Sequence, residues 1–251
     1  MKALVTGASS GIGKHIALYL SSLGYDLYVV SRNKEKLESI YKKVRSKVTC
    51  IELDLSIEEN IYKLYDRLKN EKIDILVNNA GFGDYGSFID TKLNKESDMI
   101  NVNIKAYHIL MKLFLQDFTK RDYGRILNIA SIAGFMPGVH MATYYATKAY
   151  IVSLSLGVAE ELRELESNVH VSVFCPGPVS TNFEKVAKVH FNLDSLDASV
   201  ASKMAVDGMF RNKVLIIPTN MKLSYVLVKA LPMKVVVKVN SLMQEGIRDN
   251  N

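Results

Sequence analysis

Seven short apolar runs, separated by longer amphipathic stretches, constrain this chain more than any other feature. The runs are Lys2 to Thr6, Asp26 to Ser31, Val48 to Leu53, Ile73 to Asn78, Arg125 to Ala130, Val169 to Cys175 and Val214 to Ile217. Each has the length of a strand, and most are rich in Val, Ile and Leu at successive positions, as strands covered on both faces require. The stretches between them, at 12–23, 33–46, 57–71, 95–119, 143–166 and 197–211, are long enough to be crossover helices. The alternation predicts an α/β fold: a doubly wound, Rossmann-type, seven-stranded parallel sheet with helices on both faces. No Pro-, Gly- or Ser-rich break divides the 251 residues, so a single domain, 1–251, is expected.

The first run leads into Thr6-Gly7-Ala8-Ser9-Ser10-Gly11-Ile12-Gly13 and then into a helical pattern. Glycines at 7, 11 and 13 let the turn tighten and the backbone approach a pyrophosphate, which the N–H groups and dipole of a helix N-terminus favour. Strand, glycine loop and helix in this order predict a dinucleotide site that includes Gly7, Ser9, Ser10, Gly11, Ile12 and Gly13. At the end of the second run an acidic residue would accept the ribose 2′-hydroxyl of NAD; here stand Ser31 and Arg32. A planar cation without a competing carboxylate suits a 2′-phosphate, so NADP(H) is preferred, with NAD(H) as the alternative.

The order of motifs resembles that of the short-chain dehydrogenase/reductase family, in its shorter single-domain branch. Thr6 to Gly13 is similar to the family's TGxxxGxG cofactor motif, Asn78-Asn79-Ala80-Gly81 to its NNAG motif, and Asp54-Leu55 to its adenine-contacting pair. Tyr144 and Lys148 reproduce its YxxxK pair, with Ser131 upstream and Asn103 where the family places a catalytic asparagine. Pro176-Gly177-Pro178-Val179-Ser180-Thr181 resembles the segment that closes over the nicotinamide. The resemblance therefore implies catalytic roles for Asn103, Ser131, Tyr144 and Lys148. It also adds Asn79, Ala80, Gly81, Pro176, Gly177, Val179 and Thr181 to the cofactor contacts, together with Asp54, Leu55 and the pair Tyr144 and Lys148. In the family the lysine also holds nicotinamide ribose hydroxyls, and the asparagine supports a water that relays protons to it.

The spacing suits the chemistry. Residues 144 and 148 lie one helical turn apart and share a face. A free phenol has a pKa near ~10, and a neighbouring ammonium favours its anion, so Tyr144 can give a proton to a carbonyl oxygen or take one from an alcohol. Ser131 can hydrogen-bond the same oxygen. Only Tyr144, and not Tyr145, stands four residues before a lysine.

In an open α/β sheet the ligand crevice lies beyond the carboxyl ends of the strands. The loops there contribute Phe82, Tyr85, Phe135, Met136, Val139, Met141, Phe183, Val186 and Phe191, which predicts a mainly apolar small-molecule ketone, aldehyde or secondary alcohol. Residues 181–196 form the expected lid. The 221–245 segment is amphipathic but punctuated by Lys222, Lys229, Pro232, Lys234 and Lys238, so no transmembrane span is expected. Family members are commonly dimers or tetramers, so this segment is expected to pack in a homodimer or homotetramer, with weak contact to an anionic membrane surface as the alternative.

The net charge is +6, yet Lys and Arg are scattered among Asp and Glu, which argues against a nucleic-acid partner. Cys50 and Cys175 have no metal-ligand partners at useful spacing, so no metal site is expected and a reducing cytoplasm fits. A strand at Met1 to Thr6 leaves no room for a signal peptide. Two rival functions share the fold: an NAD-linked alcohol dehydrogenase, and a dinucleotide sensor without turnover. A sugar-nucleotide epimerase would need a longer chain.

Overall fold

The computed structural model describes residues 1–42, 44–181, 183–187 and 195–248. Its elements run β1 (Lys2–Thr6), α1 (Gly11–Ser22), β2 (Asp26–Ser31), α2 (Lys34–Tyr41), β3 (Val48–Glu52), α3 (Glu58–Leu68), β4 (Ile75–Asn78) and α4 (Leu93–Ile100). After a π-helical turn (Asn101–Ala106) follow α5 (Tyr107–Lys120), β5 (Gly124–Ile129), α6 (Ala142–Glu164), β6 (Val169–Phe174), β7 (Val179–Ser180) and α7 (Phe183–Ala187). The chain ends in β8 (Leu196–Asp197), α8 (Ala198–Phe210), β9 (Leu215–Ile216), α9 (Lys222–Ala230) and α10 (Met233–Arg248).

The seven-stranded sheet has the order β3-β2-β1-β4-β5-β6-β9, and every pairing in it is parallel. The expected doubly wound fold is therefore what the chain adopts. β7 and β8 add a separate two-stranded parallel ribbon. Successive residues of β1 show why continuous apolar runs are needed. Ala3 and Val5 join a core built with α1, α2 and α8, while Leu4 joins another built with α3, α5 and the end of α6. Phe114 and Phe118 of α5 are buried in the second core, each filling space that an alanine would leave empty at a cost of about 3–5 kcal/mol. The strand order reverses between β1 and β4, which leaves a crevice at their carboxyl ends.

Two stretches depart from the expected pattern. The single helix expected at 95–119 is interrupted by the π turn, where Asn103 is completely buried and bonds to groups outside its own helix. Side-chain periodicity does not reveal the one extra residue per turn that a π bulge introduces. The 221–245 segment forms two helices, split where Leu231 takes an extended backbone (φ −85°, ψ 147°) before Pro232, because the proline ring excludes α geometry from the residue ahead of it.

Candidate active site

A cleft of about 1290 Å³ runs along the carboxyl ends of β1, β2, β4, β5 and β6. One end is the glycine loop. Gly7 and Gly11 both have positive φ (65° and 52°), and Ser10 precedes α1 in extended backbone without a side-chain capping bond to the helix. The first N–H groups of α1 are thus open to an anion. Thr6 ties this loop to the turn after β4: its Oγ1 accepts from the N–H groups of Asn79 (2.9 Å) and Ala80 (3.0 Å). Asn79 Nδ2 donates back to the carbonyls of Thr6 and Gly7, at 2.9 and 3.2 Å.

Gly13 does not line the cleft; it lies beneath, where a Cβ would fall 2.2 Å from Asn79 Nδ2 and 2.6 Å from the Gly7 carbonyl oxygen. Alanine in place of glycine ordinarily stabilises a helix by about 1 kcal/mol. Here the overlap with a backbone oxygen reverses the sign. Gly13→Ala is expected to destabilise the protein by about 2 kcal/mol in urea unfolding and to weaken dinucleotide binding in a fluorescence titration. Unchanged values for both would remove this account of the loop.

Beyond the loop, Ser31, Arg32, Asp54 and Leu55 line the same end. The Ser31 hydroxyl is engaged with Asn33, donating to its carbonyl (3.0 Å) and accepting from its N–H (3.1 Å), and Asn33 in turn caps α2. Asp54 Oδ1 accepts from the N–H and hydroxyl of Ser56, which fixes the turn after β3. Exposed Lys36, one turn after Arg32, places a second cation here that sequence reasoning missed, although its spacing from Arg32 was the available signal.

At the middle of the cleft Ser131, Tyr144 and Lys148 line one wall together. Ser131 follows β5 and caps a short turn, accepting from Ala133 N–H (3.2 Å) and donating to the Pro176 carbonyl (3.3 Å). Lys148 donates to the Ile129 carbonyl (2.9 Å), and its Nζ is 5.7 Å from the ring centres of both Tyr107 and Tyr144. Burial pushes the Tyr144 phenol above its ordinary range; the Ser131 hydroxyl, as a hydrogen-bond partner, opposes the shift. Burial likewise drives the Lys148 ammonium from 10.5 down to about 8, because neither charged form is solvated.

The Lys148 shift has a consequence for stability. The unfolded lysine keeps its proton up to its ordinary value and the folded one loses it near pH 8, so between these values the unfolded chain binds more protons and stability rises with pH. The buried charge costs roughly 3 kcal/mol below that window, at about 1.4 kcal/mol per unit. Urea midpoints of the wild type are expected to climb from pH 8 toward 10 relative to those of Lys148→Met. Parallel profiles for the two proteins would contradict the shift.

Asn103 does not reach the cleft wall. Its side chain donates to the Phe82 carbonyl (2.9 Å) and to Thr147 Oγ1 (3.1 Å) and accepts from Phe82 N–H (3.1 Å), clamping the loop after β4 onto α6. It still stands beside the lysine: a methyl group on Gly81 would lie 3.0 Å from Asn103 Oδ1 and 3.7 Å from Lys148 Nζ. Ala80 and Gly81 line the cleft, as do Pro176, Gly177, Val179 and Thr181.

Of the expected substrate contacts, Phe82, Met136, Met141, Phe183 and Val186 line the cleft. Tyr85, Phe135 and Val139 do not: Tyr85 packs beside His140, Phe135 against Tyr225 of α9, and the Val139 N–H is held by Asn240 of α10. Phe191 and half of the expected 181–196 lid lie outside the described residues. The far end is bordered by Met221 and by α9 and α10, through Ser224, Leu227, Val228, Val236 and Asn240. Asn240 is buried and bridges the Val139 N–H (2.9 Å) and the Tyr145 hydroxyl (3.4 Å). The inner side of the C-terminal segment thus covers its own chain's cleft. Nothing in the sequence showed this, because the contact is between residues about a hundred positions apart.

Among the described residues no group of His, Cys, Asp and Glu could hold a metal ion, and no helix is long and apolar enough to cross a membrane.

Comparison with known proteins agrees with this architecture. An uncharacterized oxidoreductase of Staphylococcus epidermidis is 34% identical over 181 residues, covering 71% of this chain and 78% of its own. A 3-oxoacyl-(acyl-carrier-protein) reductase of Aquifex aeolicus is 31% identical over 73% of this chain and 76% of its own. The structure of a short-chain dehydrogenase from Sphingobium yanoikuyae in complex with NADPH superposes with a TM-score of 0.82 at 27% identity, covering 92% of this chain and 96% of that one. The family model for short chain dehydrogenase matches residues 1–190, and the protein therefore belongs to the short-chain dehydrogenase/reductase family.

Proposed function

We propose that this single-domain protein is an NADP(H)-dependent oxidoreductase that interconverts a carbonyl and an alcohol on a mainly apolar small molecule. The observation that carries the reading is the shared cleft: Ser131, Tyr144 and Lys148 line it together with the glycine loop and Arg32. Its volume of about 1290 Å³ leaves room beside a dinucleotide for a small substrate. The open N-terminus of α1 and the positive φ of Gly7 and Gly11 fit a pyrophosphate, and Arg32 with Lys36 fits a 2′-phosphate. The NADPH bound to the Sphingobium protein and the reductase activity named for the Aquifex relative support the same assignment.

Bound in this cleft, the dinucleotide supplies or accepts the hydride. Tyr144 moves the proton: its hydroxyl gives a proton to the carbonyl oxygen in reduction and recovers it from the alcohol in oxidation. Ser131 donates a hydrogen bond to that oxygen and holds it in place. Lys148 holds ribose hydroxyls; the expected lowering of the Tyr144 phenol by its charge is outweighed by burial, which keeps the phenol protonated as a donor. Asn103 positions the loop and the water through which Lys148 exchanges protons. Residues 181–196 act as the lid, and the protein works in the cytoplasm as a homodimer or homotetramer.

Loss of NADPH absorbance with a panel of ketones and aldehydes tests the reading. Turnover of apolar carbonyls is expected, faster with NADPH than with NADH. Tight binding of NADPH with no turnover across the panel would favour a sensor instead.

A further inference from the structure

We infer that the outer faces of α9 and α10 seat the protein on an anionic membrane surface. The two helices have different inner and outer sides. Inward, Tyr225 meets Phe135 edge to face with ring centres 4.8 Å apart, and Val236 and Asn240 are buried. Outward, Leu223, Val226, Leu227 and Ala230 of α9 are spaced as one helical stripe, and all four are exposed, Leu223 to 70%. Val235, Val239 and Leu242 form the matching stripe on α10, with Leu242 exposed to 61%.

Lysines flank both stripes. Lys222 and Lys229 share one side of α9, Lys234 and Lys238 one side of α10, and all four are exposed, although the Lys229 Nζ also lies 5.6 Å from the Phe135 ring centre, which leaves Lys222, Lys234 and Lys238 as the cations turned most fully outward. No Asp or Glu occurs between Asp207 and Glu245, so nothing within this stretch offsets the charge. An apolar stripe bordered by lysines is the pattern of a helix lying in the plane of a bilayer, its Leu and Val among acyl chains and its ammonium groups at the headgroups.

A second copy of the chain is a poorer occupant. A two-fold contact places the same patch on both subunits, which would gather eight lysines at one contact with no carboxylate from this stretch among them. Anionic headgroups answer the charge and the apolar area together. Leu227, Val239 and Leu242 also line the cleft, so a docked protein would open the cleft's mouth toward lipid. That last consequence rests on the apolar substrate proposed above; the docking does not.

The test is flotation of the full chain with vesicles of phosphatidylcholine alone or mixed with phosphatidylglycerol. Flotation with the mixed vesicles only, weakening as salt rises, is expected. Each lysine near such a surface contributes about fivefold to partitioning, so changing Lys222, Lys229, Lys234 and Lys238 together to Gln should lower it by more than about a hundredfold. Leu223→Ser with Val226→Ser should abolish flotation while leaving the circular dichroism spectrum and NADPH binding unchanged, since neither residue lines the cleft. The chain has no tryptophan, so Leu223→Trp should show a blue-shifted emission only with mixed vesicles. The inference is overturned if the wild type stays with the soluble fraction, or if the four-lysine variant floats as well as the wild type. It is equally overturned if sedimentation reveals a dimer that Leu223→Ser with Val226→Ser dissociates while no vesicle binds.

Discussion

Tyr144→Phe should reduce carbonyl turnover by about a thousandfold while NADPH still binds. A positioned general acid contributes about a hundred- to ten-thousandfold, and the substitution removes only the hydroxyl that would serve as one. The ring stays, keeping its packing against Phe183 (5.2 Å) and Tyr145 (6.1 Å), so the cleft wall should keep its shape. The loss should appear in kcat with KM little changed, because the missing interaction belongs to the transition state. Burial holds the phenol above its ordinary range, so in reduction it remains a proton donor through neutral pH, whereas oxidation, which needs the anion, should gain with rising pH. Full turnover by the phenylalanine variant would remove Tyr144 from the mechanism.

Arg32→Ala should weaken NADPH binding by about ten- to a hundredfold and leave NADH nearly untouched. A hydrogen bond to a charged partner contributes about 1.5–3 kcal/mol, and Arg32 stands at the carboxyl end of β2 in the same cleft as the glycine loop. Lys36 lines that end too, so Arg32→Ala with Lys36→Ala should lower affinity further. Isothermal titration with both dinucleotides decides the point. An unaltered preference in the single and the double variant would assign the 2′-phosphate elsewhere.

What could be read from the chain alone was whatever depends on short stretches. Strands buried on both faces announce themselves as unbroken apolar runs, and a glycine loop between strand and helix has few other uses. The Tyr144 and Lys148 pair is legible because one helical turn fixes their relation before any tertiary contact forms. The π turn around Asn103 was not legible, since the hydrogen bonds made there reach Phe82 and Thr147 in distant segments. The same holds for Asn240 and the helices that border the far end. Their apolar spacing says that they cover something, and only the folded chain shows that one side covers the cleft. Phe135 and Tyr85 misled for a related reason: a loop aromatic at a crevice can as readily pack beside it as line it.

On the function proposed above, this cleft transfers hydride between a nicotinamide and a carbonyl carbon with Tyr144 as the proton donor. NADPH carrying deuterium at the transferable position, incubated with the protein and an apolar ketone, tests it directly by mass spectrometry of the product. Deuterium is expected on the carbinol carbon of the product formed by the wild type, and almost none with Tyr144→Phe. Deuterium retained on the dinucleotide with every ketone tried, in a protein shown to bind it, would rule out hydride transfer in this cleft.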